Sequence, residues 1–308
     1  MRDTSRAALL RGTLAVVISA CCFGSISPLT VVATERGMAL QSIQAWRYAA
    51  SAMVLLAVAW WRPPARPRDA IPPWFTPQVL ALAGSGQALV ATLALAALRW
   101  LPTATASFLF YTYPAWVTII GALRGHEPLD RIRVTALLLA LGGIGAMVGA
   151  PDAASLHPIG LALILGGALA YALYIPLLDH LQRPRDPLDV SRAIAVGGSA
   201  IFCLWAGVTG TLFAIPDVVA FGASVLQGVL SAGSFIGFLA GLRVLGPVRT
   251  AITSTVEPFW TTLLGVVLLG QSIGVGTIVG GVAIMGAVLL LQRPVAGPGA
   301  RASSSVPS

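Results

Sequence analysis

Ten runs of roughly twenty apolar residues follow one another along the chain, parted by short breaks that hold most of its arginines and many of its prolines. They cover about 12–32, 43–61, 77–98, 103–123, 132–149, 158–178, 190–209, 217–241, 247–269 and 272–291. Each is about as long as a helix must be to cross the hydrocarbon core of a bilayer. Composition closes the other routes. Of 308 residues, 56% are apolar and only 10% charged, where a soluble domain carries about 25% charged residues. Disorder requires low hydrophobicity and high net charge. A soluble enzyme of this length could not hide so much apolar surface. The 33 glycines suit closely packed membrane helices. The fold class expected is an all-α polytopic membrane protein with ten transmembrane helices.

Net charge is +8, and all 19 basic residues are Arg. The arginines lie in the breaks rather than in one patch, so the basic balance reads as a topology signal and no nucleic-acid partner is expected. If the amino terminus is cytoplasmic, fifteen of the nineteen fall on the inner side. Arg36 and Arg99 fall outside, and Arg47 and Arg192 lie within helices. Both termini are therefore placed inside. Trp60, Trp61, Trp74 and Trp100 stand at expected helix ends, as interfacial anchors do. Arg2, Arg6 and Arg11 before an apolar stretch ending near Cys21 resemble a cleavable signal. Because the run continues to Val32, an uncleaved first helix is expected. Cys21, Cys22 and Cys203 form no disulfide framework, and the three His lie in breaks. No metal and no cofactor are expected.

The two halves resemble each other. Ala97-Leu98-Arg99-Trp100-Leu101 parallels Gly241-Leu242-Arg243-Val244-Leu245. The same offset carries Pro114 onto Pro258, Trp116 onto Trp260, Gly121 onto Gly265 and Gly142 onto Gly286. At nearly the same offset Gly12 maps onto Gly160, Pro28 onto Pro176 and Arg47 onto Arg192. Five helices per half is an odd number, so the second copy must enter the membrane upside down. Inverted repeats of this kind place a substrate site near the midplane, often beside broken helices. The expected division is 1–150 for the first repeat, 157–293 for the second and 294–308 for a disordered cytoplasmic tail. Pro28, Pro114, Pro176 and Pro258 each remove a backbone hydrogen bond and bend their helices, either to line a pathway or simply to pack.

Arg near the start of helices 2 and 7, a mid-helix Pro114, Gly125-His126-Glu127, and Glu257-Pro258 before a Gly-rich last helix together resemble the EamA family of the drug/metabolite transporter superfamily. The likeness covers about 12–291. Gln271 stands after Gly270 where the family usually has Glu. The resemblance implies a multi-pass inner-membrane secondary transporter working by alternating access, with export of amino acids or similar small metabolites as the expected task. A multidrug or cation efflux carrier, or a facilitator without proton coupling, is the alternative.

Glu257 is the sharpest candidate, an acid some ten residues from either end of its helix. Acids at that depth face the protein interior and can carry a coupled proton, or they hold helices together. Ser254 lies on an adjacent face, and Tyr113 is its counterpart in the first half. Arg47 and Arg192 could bind a substrate anion or act structurally. Gln227, Ser231 and Ser234 share a face of helix 8, and Gln87 maps onto Ser231; such groups line a cavity or bond helices together. Tyr111, Tyr113, Tyr171 and Tyr174, with Trp116 and Trp260, could wall an aromatic cavity or simply pack. The partners expected are a small-molecule substrate, the lipid bilayer and protons, with monomer and homodimer both open. No Walker motif is present, so ATP does not drive transport directly. No catalytic triad or metal set converges, so an enzyme is not expected. A membrane scaffold or receptor is the rival non-transport class.

Overall fold

The computed structural model describes residues 5–62, 76–101, 103–125, 130–148, 157–269 and 274–291, and helix is the only regular structure among them. The expected tail at 294–308, the proline-rich loop at 63–73, Trp74, the turn residues His126 and Glu127, and Gly270-Gln271 lie outside these described residues. The helices are α1 (Arg6–Gly24), α2 (Ile26–Glu35), α3 (Leu40–Trp61), α4 (Pro77–Ala97), α5 (Thr103–Phe110), α6 (Tyr113–Leu123), α7 (Arg131–Val148), α8 (Pro158–Gln182), α9 (Pro187–Val208), α10 (Val218–Leu245), α11 (Pro247–Thr253), α12 (Val256–Leu269) and α13 (Val275–Leu291). Among the described residues six rods, counting α1 with α2 and α5 with α6, are long and apolar enough to cross a membrane. Pro opens α4, α8, α9 and α11, where its missing N–H costs nothing.

Three rods are interrupted, at Ser25, at Tyr111-Thr112 and at Ser254-Thr255. Each interruption lies two or three residues before a proline: Pro28, Pro114 or Pro258. In the second and third, i→i−3 bonds tighten the turn: Thr112 N–H to the Leu109 carbonyl, and Glu257 N–H to that of Ser254. Pro176 instead sits inside an unbroken α8. The four prolines expected to bend helices thus divide three to one, because a proline removes a bond whether or not its neighbours unwind.

Helix packing is reciprocal between the halves. α1 packs on α10 and α12, while α8 packs on α4 and α6. α3 joins α10 as α9 joins α4, and α3·α9 and α7·α13 pair like with like. The correspondence reaches individual residues. Gly12 lies against Val244 and Leu245, and Gly160 against Trp100 and Leu101. The interior holds small and aromatic side chains, with Tyr48, Tyr113 and Phe202 fully buried. Outward-facing Leu14, Met53, Leu138, Leu204 and Val282 are each at least 60% exposed. That is untenable in water at this density and is what a lipid-facing belt requires. Trp60 and Trp61 stand fully outside the bundle at the end of α3.

The expected helix ends hold to within a few residues, with one consequential shift. α3 and α9 begin earlier than the apolar runs suggest, which places Arg47 and Arg192 deeper. Where α10 begins, Asp217 accepts the Ala220 N–H at 2.7 Å and pairs with Arg36 at 2.8 Å. These hold its carboxyl below the usual carboxylate range, the backbone bond contributing most. A lowered value stabilises the fold at neutral pH and ceases to do so as pH falls through it. Asp217→Ala is therefore expected to melt below wild type at pH 7, and the gap between them to close below about pH 4. Thermal melts in detergent across that range check it; a gap that stays constant refutes it.

Candidate functional site

Two interruptions meet in the bundle interior. Glu257 is the second residue of α12, so its carboxylate lies at a helix amino terminus, where unpaired N–H groups favour negative charge. Facing it is Tyr111, in the turn between α5 and α6, whose hydroxyl donates to the Glu257 carboxylate. Tyr113 opens α6, reaches the Ala251 carbonyl across the bundle at 3.4 Å, and meets Ser254. Tyr171 from α8 closes the other side, 4.7 Å from the Tyr113 ring and 5.8 Å from Phe110. Phe238 of α10 stacks on Tyr171. The acid therefore sits among tyrosines contributed by both halves, half-buried at the crossing of two broken rods.

A second junction holds the first break against α12. Pro28 cannot donate to the Gly24 carbonyl, and the Thr261 hydroxyl does so instead at 2.9 Å. The Trp260 indole N–H donates to Ser25 Oγ at 2.9 Å. Gly24 is required here by close approach: a Cβ would lie 2.8 Å from the Glu257 carbonyl. Thr261→Val keeps the shape and removes the hydroxyl, so each molecule loses one interhelical bond of about 0.6 kcal/mol. The expected result is a melting temperature about 1–2 °C lower with the bundle intact; no change would mean the Gly24 carbonyl is satisfied some other way.

The other candidate residues divide. Tyr174 donates to the Ala83 carbonyl and lies over Gly86, a turn along from the Glu257 cluster. Trp260 belongs to the Ser25 junction and Trp116 is 37% exposed on the outer face, so neither joins the tyrosine cluster. Ser234 and Ser19 bond each other's backbone carbonyls at 2.8 Å, tying α1 to α10. Gln87 is half-buried on α4, and its side chain takes part in no hydrogen bond among the described residues. Arg192 pairs with Asp189, one turn earlier in α9. Arg47 is buried, with its guanidinium 4.6 Å from the centre of the Tyr48 ring.

Beside Arg47 on α3 lie groups that sequence reading missed, and across from them lie two that it had named. Gln44 and Ser51 share its face of α3, and the Tyr48 ring lies under its guanidinium. Opposite, on α10, are Gln227 and Ser231. The two helices touch at Gly228, where a Cβ would lie 2.6 Å from the Arg47 carbonyl and 3.0 Å from the Ser51 nitrogen. Thr30 of α2 donates to Gln227 Oε1 at 3.2 Å. The spacing Gln44-x-x-Arg47-x-x-x-Ser51 marks one helix face and was legible in the sequence. Among the described residues no three His, Cys, Asp or Glu gather as metal ligands.

An all-helical bundle with a lipid-facing belt and an acid at the crossing of discontinuous helices defines a multi-pass membrane protein with a polar interior. The model of the EamA-like transporter family matches twice, over residues 10–149 and 158–293, and the chain belongs to that family. It is a transporter of the cell membrane. It is 26% identical over 204 residues to an uncharacterized transporter of Archaeoglobus fulgidus, covering 65% of this chain and 70% of that one. It is also 26% identical over 192 residues to the uncharacterized inner membrane transporter YicL of Salmonella typhimurium, covering 61% and 64%. The second match thus takes in somewhat less than two thirds of that relative. A solved crystal structure shares the fold at a TM-score of 0.73 and 19% identity, over 91% of this chain and 95% of the other.

Proposed function

We propose that the chain is a secondary transporter of two inverted five-helix repeats with both termini cytoplasmic, exporting amino acids or similar small metabolites. The units are 1–150 and 157–293. Reciprocal packing of α1·α10 with α8·α4, and of α1·α12 with α8·α6, supports the repeats. Ten crossings result if the interrupted pairs α1–α2, α5–α6 and α11–α12 each cross once.

Alternating access then follows from rocking one repeat against the other about the interior site. The observation that carries the coupling is the Glu257 carboxylate, held at the crossing of two broken helices with the Tyr111 hydroxyl as its partner. A carboxyl there can take a proton from one side, which weakens but need not break its bond to Tyr111, and release the proton on the other. Pro28, Pro114 and Pro258 supply the interruptions that let half-rods tilt without breaking other backbone bonds. Aromatic walls beside an acid also suit a cation, which keeps a cationic-drug substrate as the second reading.

Proteoliposomes carrying the purified protein test the reading. Labelled amino acids and a cationic dye are followed with and without an imposed pH gradient. Gradient-stimulated movement of an amino acid supports the first reading, and movement of the dye alone the second. Movement of an amino acid at a rate indifferent to the gradient identifies a facilitator.

A further inference from the structure

The repeat brings out an asymmetry. In α9, Arg192 has Asp189 three residues before it, and the two form an ion pair. In α3, the equivalent Arg47 has Gln44 three residues before it. Where the second half supplies an acid, the first supplies an amide. Arg47 is 7% exposed and has no acid partner among the described residues; its guanidinium rests on the Tyr48 ring. Its Nε has no hydrogen-bond acceptor. On the surfaces of α3 and α10 that meet at Gly228, Ser51 Oγ, Ser231 Oγ and Gln227 Nε2 are also buried without partners, as is the Tyr48 hydroxyl.

So many open donors around an uncompensated cation are costly unless something fills them, since buried polar groups and charges are normally paired. What they lack is an acceptor with negative charge. One guanidinium balances one negative charge. The planar guanidinium fork matches the two oxygens of a carboxylate, whose lone pairs can also take up neighbouring hydroxyl and amide donors. Gln44 Oε1, an acceptor also without a partner, stands one turn away and suits a neighbouring ammonium.

We infer that Arg47, with Ser51, Gln227 and Ser231, binds the carboxylate of a small zwitterionic substrate between α3 and α10. The inference rests on the transport reading above and adds to it the end of the substrate that is recognised and the residues that do it. Asp189 stands as the natural control, because it shows what the same helix position does when its arginine is meant to be neutral.

The decisive variant is Gln44→Asp, which supplies to Arg47 the acid that Asp189 supplies to Arg192. Purified protein in nanodiscs is melted with each of the twenty standard L-amino acids, with their carboxamides, and with inorganic phosphate. At least one amino acid is expected to raise the wild-type melting temperature by about 3 °C or more at saturation. Its carboxamide and phosphate are expected to give no shift. Gln44→Asp should melt at or above wild type without ligand and lose the shift, and Arg47→Gln should lose it too. A shift retained in Gln44→Asp, an equal shift with the carboxamide, a shift with phosphate alone, or no shift with any amino acid each overturns the inference. Liposome assays separate this from the transport reading. Amino-acid export with an unchanged KM in Gln44→Asp would leave the transporter standing and remove the Arg47 site. Ligand shifts without movement in liposomes would do the reverse.

Discussion

Glu257→Gln is expected to stop a pH gradient from driving transport while leaving substrate exchange in place. Gln keeps the size of the side chain and can still accept the Tyr111 hydroxyl bond, so the crossing of the two broken rods holds its shape. What it lacks is a titratable proton. Gradient-driven flux should fall to the level seen without a gradient. Counterflow, which needs the substrate site and the rocking motion but no net proton movement, should remain within about twofold of wild type if the proton path alone is lost. Measuring both in the same liposomes separates the possibilities. Loss of both makes Glu257 a substrate ligand or a structural support. Retention of gradient-driven flux removes it from coupling altogether. Tyr111→Phe should give an intermediate effect, since it removes the partner and keeps the acid.

Gly280→Leu is expected to abolish folding, and Gly142→Leu to be tolerated. A Cβ at Gly280 would lie 2.2 Å from the Gly143 carbonyl and 2.4 Å from Met147 Cγ, and the first of these is backbone that cannot swing aside. α7 and α13 pack through this contact, so any side chain forces them apart. Overpacking of this kind costs about 1–3 kcal/mol for a few extra methylenes, and a whole Leu between two backbones exceeds that. A Cβ at Gly142 meets nothing within 4 Å. Size-exclusion profiles of the two variants should differ plainly, with a monodisperse peak for Gly142→Leu and aggregate or no protein for Gly280→Leu. Equal behaviour would mean that α7 and α13 do not pack as described.

The pair also shows where sequence reading stops. The glycine-rich character of α7 and α13 is plain from composition, and so is the likeness of Gly142 to Gly286. Nothing in the string tells Gly142 from Gly143. They are neighbours 100° apart on a helix, and only the partner helix decides which one faces backbone and which faces lipid. Arg47 and Arg192 behave similarly. Their equivalence was legible, but that Arg192 is neutralised and Arg47 is not depends on Asp189 against Gln44, and on what α10 presents opposite.

What the sequence determined by itself was the class of molecule, the positions of its helices and the correspondence of its halves. Those follow from local properties: apolar length against bilayer thickness, arginine placement, and the missing N–H of proline. Glu257 also stood out alone, because an acid inside an apolar run is conspicuous without any neighbour, although the sequence set it mid-helix and the structure puts it at the start of α12, after an interruption. Tertiary structure decided which groups meet. It set Tyr111 rather than an arginine on Glu257, gave Thr261 to the carbonyl that Pro28 leaves open, and sent Trp116 outward while Trp260 turned in to Ser25. Each of these joins residues far apart in the chain, and in a membrane, where every helix is apolar on most faces, the hydrophobic pattern no longer says which face turns inward.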